Sequence, residues 1–331
     1  MIKWIPCELH THTVNSDGSL TLRELAKKAK ELGLECIALT DHNTTSGQLQ
    51  IPSVTKETGM PIVHGMEWTT FYGHMVAMGT KEYVDWRNRG PLDIHAGIAD
   101  IHEAGGLAGV AHPYRMGSPM CTGCYWQFTI SDWKDIDYLE VWSETFPSVN
   151  PVNHRAFELW TGLLNEGHRL TAVSGRDWHG NGSGSEPIAV TYLGIDTKDE
   201  NDIDRAVINA LSQGRAVSTM GPLMLLTAEL ESDYGVGEEV MLVGEGNEAE
   251  FRVQFDFSTR KGMWEIDPKP MKVVLMSNKG RQQEIQVTTE SERIHCTLQV
   301  QELDWVRAEL YGSICGAEAM IAFTNPVYFK R

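Results

Sequence analysis

Apolar residues recur at two different spacings along the chain, and the spacing changes near residue 220. Up to that point, short apolar runs at 7–9, 36–40, 61–65, 75–79, 107–111, 138–142 and 170–174 read as buried strands. Between them the period becomes helical. Leu22, Leu25, Ala26, Ala29 and Leu32 fall on one helix face, opened by a Thr21/Glu24 capping box and closed at Gly33. Ile94, Ile98 and Ile101 mark a second helix, ended by Gly105 and Gly106. Phe157, Trp160, Leu163 and Leu164 mark a third, ended near Gly167, and Ile203, Val207, Ala210 and Leu211 a fourth, ended by Gly214. The alternation predicts an α/β unit, either an open sheet or a barrel.

Beyond Met220-Gly221-Pro222 the helical period disappears. Runs at 251–257, 271–276, 284–287, 296–300, 306–311 and 320–323 are β-rich, with turns at 244–247 and 267–270. The expectation is two domains: an α/β domain over 1–219, then a smaller all-β, sandwich-like domain over 220–331. No low-complexity linker separates them, so they should pack closely.

Composition narrows the classes of function. With 41% hydrophobic and 22% charged residues in 331, the chain can bury a real core, which excludes a disordered or coiled-coil chain. Acidic residues outnumber basic ones 45 to 28, for a net charge of −17. That field disfavours a nucleic-acid duplex as partner. A small anionic substrate stays compatible, because bound cations can reverse the field locally. Six cysteines show no disulfide framework, and only Cys121 and Cys124 form a CxxC pair, either a redox or zinc pair or ordinary loop thiols. Neither a signal peptide nor a membrane-length apolar run is read, so a cytoplasmic protein with no membrane contact is expected.

Histidines locate the chemistry. Eleven of the twelve lie at or before His179. His10 and His12, at i and i+2 after a short strand, point the same way, and Asp17 follows in a Ser-Asp-Gly turn. Asp41-His42, Gly65-Met66-Glu67, His74, Ala111-His112-Pro113 and Asp177-Trp178-His179 then fall at successive strand ends. In an α/β barrel those ends meet on one face. The candidate ligands are His10, His12, Asp17, His42, Glu67, His74, His112, Asp177 and His179. Mixed imidazole and carboxylate donors suit zinc, manganese or iron. Nine are too many for one ion and fit two or three divalent ions; three would leave a net charge of about +3 against the three carboxylates, which would hold an anion.

The HxH…D, DH, GxE, AHP and DxH series, in this order over about residues 7–180, resembles the PHP (polymerase and histidinol phosphatase) superfamily of metal-dependent hydrolases. The β-rich C-terminal region and its Asn325-Pro326-Val327-Tyr328 ending are similar to the CehA/McbA-type branch. The resemblance implies a distorted seven-stranded (βα) barrel with a trinuclear site. His10, His12, Glu67 and Asp177 would hold one ion, and Asp17, His42 and His179 a second. Glu67 would bridge to a third, completed by His74 and His112. Some members carry histidine at the position of Asp17. Asp41 would orient an imidazole.

The activity implied is hydrolysis of a small phosphorylated metabolite or nucleotide by a metal-bound hydroxide, with Asp177, Glu67 and His179 at its centre. Arg115 and Arg176 are candidates for the substrate phosphate, or for salt bridges to acidic neighbours. Glu140 is a helper at its strand end. Trp68, Trp142 and Trp178 either wall the pocket or pack the core. Residues 180–185 read as a flexible connector, with a phosphate-cradling rim as the alternative. Two other functions remain open: hydrolysis of a carboxyl or carbamate ester, and a non-catalytic metal-binding accessory module. The β domain would shape the pocket rim, build a homo-oligomer or bind another molecule.

Overall fold

The structure, a computed structural model, describes residues 1–116, 125–180, 186–199 and 201–331. The CxxC pair and most of the 180–185 loop lie outside the described residues. Up to residue 219, the described residues form nine strands and five α-helices. The strands are β1 (Ile2–Glu8), β2 (Cys36–Leu39), β3 (Ile62–Thr70), β4 (Gly73–Met78), β5 (Leu107–Ala111), β6 (Tyr138–Ser143), β7 (Thr171–Gly175), β8 (Val190–Asp196) and β9 (Ala216–Thr219). The helices are α1 (Leu22–Glu31), α2 (Ile51–Thr58), α3 (Ile94–Glu103), α4 (Pro151–Asn165) and α5 (Ile203–Ser212).

Local chemistry sets these elements. Thr21 Oγ1 accepts from Glu24 N, and the Glu24 carboxylate accepts from Thr21 N at 2.8 Å, so both ends of the capping box form. Leu22, Leu25, Ala26 and Ala29 are the buried face of α1. Helix α2 escapes the periodicity reading because it spans two turns and buries only Ile51 and Val54. Proline in its first turn and Gly59 at its C-cap, with φ of 68°, delimit it.

The sheet departs from simple βα alternation. Strands β1, β2 and β3 are parallel, and so are β5, β6 and β7. Strand β4 runs antiparallel to both β3 and β5, because the two-residue turn at Phe71-Tyr72 makes a hairpin instead of a helical crossover. On the other side of β1, strands β8 and β9 add antiparallel. Side chains bond β7 to this flank. Ser174 N donates to Thr191 Oγ1 at 2.8 Å, and that hydroxyl donates back to Ser174 O at 2.9 Å. Asn325 bonds Ala172 N and O, each at 2.8 Å, and Ala216 O at 2.9 Å.

Beyond residue 220 the described residues form strands only: β10 (Leu223–Glu229), β11 (Asp233–Gly235), β12 (Glu239–Met241), β13 (Glu248–Asp256), β14 (Met271–Ser277), β15 (Gly280–Val287), β16 (Arg293–Gln299), β17 (Trp305–Ile314), β18 (Ala317–Thr324) and β19 (Val327–Lys330). Strands β11, β10, β13 and β16 make a four-stranded sheet. The other six join the first sheet, because β18 pairs antiparallel with β9. Leu226, Phe251 and Val253 from the small sheet share a core with Val273, Leu275 and Leu310 from the large one. Phe323 of β18 reaches into the α/β part, its ring 4.8 Å from Trp142 and 5.6 Å from Trp160. No helix among the described residues is long and apolar enough to cross a membrane.

Candidate metal centre

The segments that follow β1, β2, β5 and β7, together with β3 and β4 themselves, deliver all nine candidate ligands to one place. The backbone after β1 is held extended, since His12 N donates to Trp178 O and Trp178 N to His10 O, each at 2.9 Å. His10 and His12 therefore share one face, and both are fully buried. Asp41 fixes the next turn: Oδ1 accepts from Thr13 N and Ser16 Oγ, and Oδ2 from Thr13 Oγ1, all at 2.7 Å. Its partners are these turn groups and not the imidazole expected of it. Gly18 closes the turn, where a Cβ would stand 2.4 Å from His12 O.

Glu67 is the hub. It is fully buried, and five imidazoles surround its carboxylate. Oε2 lies 3.2 Å from His10 Nε2, 3.4 Å from His12 Nε2 and 2.7 Å from His42 Nδ1. Oε1 lies 2.9 Å from His74 Nδ1 and 3.2 Å from His112 Nε2. Burial alone would raise its pKa, but the imidazoles, His10 foremost, hold it well below the carboxylate range. Asp177 is likewise held low against burial by His10, His12 and His112. Its Oδ1 is 2.9 Å from His12 Nε2 and 3.4 Å from His10 Nε2. Asp177 and His112 both adopt left-handed backbone, with φ of 54° and 26°, an uncommon conformation that collects at functional sites.

Nearer solvent, Asp17 Oδ1 lies 3.1 Å from His179 Nε2 and 3.4 Å from His42 Nε2, and the two imidazole nitrogens face each other at 3.3 Å. Burial pulls the His179 pKa down, but Asp17 and Asp177 raise it to about 9. The buried imidazole of His12 is pushed down to about 4.

These distances fit metal coordination. Donors about 2.1 Å from one ion in a tetrahedral shell stand roughly 3.4 Å apart. Four groups of donors lie within 4.8 Å of one another: His10, His12, Glu67 and Asp177; His12, Asp17, His42 and His179; Glu67, His74 and His112; and His10, His112 and Glu140. In the first, His10 Nε2, His12 Nε2, Glu67 Oε2 and Asp177 Oδ1 are all buried without a hydrogen bond among the described residues. Four converging buried donors left in this way suit a divalent cation.

Three residues support the cluster. Glu140 Oε2 bonds His10 Nδ1 at 2.8 Å, which places the helper beside a candidate ligand. Thr69 Oγ1 bonds His42 Nδ1. Glu8 accepts from His10 N at 3.1 Å and Arg176 N at 2.9 Å, and burial pushes its carboxyl up to about 7. The last two escape a motif reading. Only the position of Glu8, on a buried strand just before the HxH pair, hinted at a role.

Arg115 and Arg176 line one cleft of 560 Å³ together with Asp177, His179 and Trp178. Arg115 bonds Asp177 Oδ2 and lies 2.9 Å from Glu144 Oε1. The Arg176 guanidinium has no ion pair among the described residues and stacks 4.7 Å from the Trp178 ring centroid. Trp68, Trp142 and Trp178 are all nearly fully buried. Histidines outside the ligand pattern pair elsewhere: His64 with Asp204, His95 with Asp135, and His102 with Asp137.

The chain matches the PHP domain over residues 8–101. It is 34% identical, over 125 residues, to an uncharacterized protein of Methanocaldococcus jannaschii, covering 34% of this chain and 69% of that one. The chain belongs to the PHP family. A second relative, the phosphoribosyl 1,2-cyclic phosphate 1,2-diphosphodiesterase of Eggerthella lenta, is 30% identical over 81 residues, which span 23% of this chain and 31% of the enzyme. A two-domain Bacteroides vulgatus protein, described as containing a predicted PHP-like metal-dependent phosphoesterase, aligns over 98% of this chain and 96% of its own. The TM-score is 0.54 at 13% identity, a likeness of fold.

Proposed function

We propose that the protein is a metal-dependent phosphoesterase that hydrolyses a small phosphorylated metabolite or nucleotide. The observation that carries this reading is the shared cleft: Arg115 and Arg176 open onto the same space as Asp177 and His179. Two guanidinium groups beside a cation site suit an anion with several oxygens better than a neutral ester. The Eggerthella relative, whose name gives a phosphoribosyl cyclic phosphate as its substrate, agrees in bond type.

We assign His10, His12, Glu67 and Asp177 to one ion, Asp17, His42 and His179 to a second, and His74, His112 and the shared Glu67 to a third. Zinc, manganese and iron all suit these donors, with two or three ions held. Bound ions would supply Lewis acidity and a nucleophile derived from water at neutral pH. The side chains position the rest. Glu140 keeps the His10 proton at Nδ1, which leaves Nε2 as a donor to the cluster. Arg176, backed by Trp178, takes non-bridging phosphoryl oxygens. Arg115 orients Asp177 and offers its outer edge to the substrate.

We take residues 1–219 as the catalytic unit, a distorted and closed (βα) barrel, and 220–331 as an accessory β unit. The Asn325 and Thr191 bonds between β7 and β8–β9 support closure. The unbroken sheet across β9 and β18 makes the accessory unit integral to it.

The reading is tested with the manganese- or zinc-loaded protein on a panel of phosphomonoesters, nucleotides, a phosphodiester, and carboxyl and carbamate esters. Release of phosphate, or opening of the phosphodiester, is expected. Turnover of the carbonyl esters alone would overturn it.

A further inference from the structure

Strand β6 divides two cavities. A bulge between Glu140 and Trp142 turns these alternate residues to opposite sides. Glu140 reaches His10, while Trp142 looks toward α4. There a cleft of 880 Å³ opens between α4 and strands β14, β17 and β18, a volume typical of small-molecule sites. Trp142, Phe157, Tyr311, Met276 and Met320 give it apolar walls. None of these residues belongs to the metal centre.

Three features set the cleft apart from a packing gap. Ser148 lines it, is only 7% exposed, and buries an Oγ that has no hydrogen-bond partner among the described residues. Gly162 lines it from the interior of α4, where glycine weakens a helix, yet a Cβ there would meet no atom within 4 Å. Arg307, 2% exposed, is stacked 4.5 Å from Phe157 and 4.6 Å from Trp160 and lies 2.8 Å from Glu309. A buried ion pair is a weak stabiliser. This one fixes a polar floor, on which the Tyr311 hydroxyl donates to Glu309 at 2.6 Å.

The cleft lining carries three carboxylates, Glu158, Glu309 and Glu318, against two cations, Lys272 and Arg307. Arg307 and Glu309 neutralise each other, and Lys272 shares Glu284, 3.2 Å away, with Arg281 at 3.0 Å. Glu158 has no ion pair among the described residues, and Glu318 is held only by Lys269 at 3.9 Å.

We infer that this cleft binds a small aromatic ammonium compound, at a site separate from the catalytic mouth. The ring lies among Trp142, Phe157 and the methionines, the ammonium faces Glu158 and Glu318, and Ser148 Oγ takes a hydrogen bond. The inference does not depend on the reaction proposed above.

Calorimetry of the full chain, stripped of metal, with tryptamine and with indole-3-acetate tests it. Tryptamine should bind saturably at one site, about tenfold or more tighter than the acid. Gly162→Leu, which fills the cleft, and Glu158→Gln, which leaves packing intact, should each weaken tryptamine about tenfold. Asp177→Asn should leave it unchanged. Absence of saturable binding, equal affinity for amine and acid, or loss in Asp177→Asn but not in Gly162→Leu would each overturn the inference. So would a dimer in light scattering that Gly162→Leu dissociates, which would assign the cleft to a second copy of the chain.

Discussion

Glu140 Oε2 sits 2.8 Å from His10 Nδ1, on the far side of the imidazole from Glu67, which lies 3.2 Å from Nε2. A carboxylate so placed fixes the tautomer and the ring plane of a ligand. Room for it is made by Gly175, where a Cβ would stand 2.3 Å from the Glu140 carboxylate oxygen. Glu140→Gln and Gly175→Ala should therefore act alike. Each is expected to weaken divalent metal binding about 10- to 100-fold in a competitive chelator titration, with the far-UV circular dichroism unchanged. Full metal affinity in both variants would remove Glu140 from the site.

The two arginines should separate kinetically. Arg176→Gln loses a guanidinium that holds no ion pair among the described residues, so KM for the phosphorylated substrate should rise about tenfold with kcat little changed. Arg115→Gln also frees Asp177, so kcat and metal affinity should fall along with substrate affinity. Steady-state kinetics on both variants decides this, and identical profiles would contradict it.

Asp204 gives a pH signature away from the metal centre. Burial raises its pKa, but bonds from the His64 ring and main chain, and from Lys81, carry it below the usual aspartate value. Its ionised form therefore stabilises the fold above the unfolded-state pKa, and that contribution is lost as pH falls through the lower folded value. Asp204→Asn should lower Tm at neutral pH, and its Tm curve should converge on that of the parent in acid. A constant gap at every pH would contradict the assignment.

Asn325→Ala removes the side chain that bonds the buried Ala172 N and O, while Ala216 O keeps its bond from Asn325 N at 3.2 Å. A loss of about 2–5 kcal/mol is expected in urea unfolding. A change under about 0.5 kcal/mol, the scale of an ordinary surface substitution, would mean that this bridge does not hold β7 to β9.

The sequence carried the four longer helices and most strands because each repeats its period long enough to be read. Helix α2 buries only Ile51 and Val54, and strands β8 and β9 carry no candidate ligand to mark them. The antiparallel β3–β4 hairpin was hidden because Phe71 and Tyr72 lack a tight-turn signature such as Asn-Gly. The nine candidate ligands were legible because HxH and strand-end carboxylates are local patterns. The partners of Asp41 were not, since choosing Thr13 and Ser16 over an imidazole depends on a turn known only in three dimensions. Glu140 was visible only as a strand-end acid, and the bulge that aims it at His10 leaves no mark in the sequence.

A metal titration of the chelator-stripped protein, followed at once by phosphate release and by metal content, decides whether the cluster drives the reaction. No turnover is expected without metal, and recovery should saturate at two or three equivalents of manganese or zinc and be abolished together with binding in Glu67→Gln. Phosphate release that persists in the stripped protein, or that is untouched by Glu67→Gln, would contradict it.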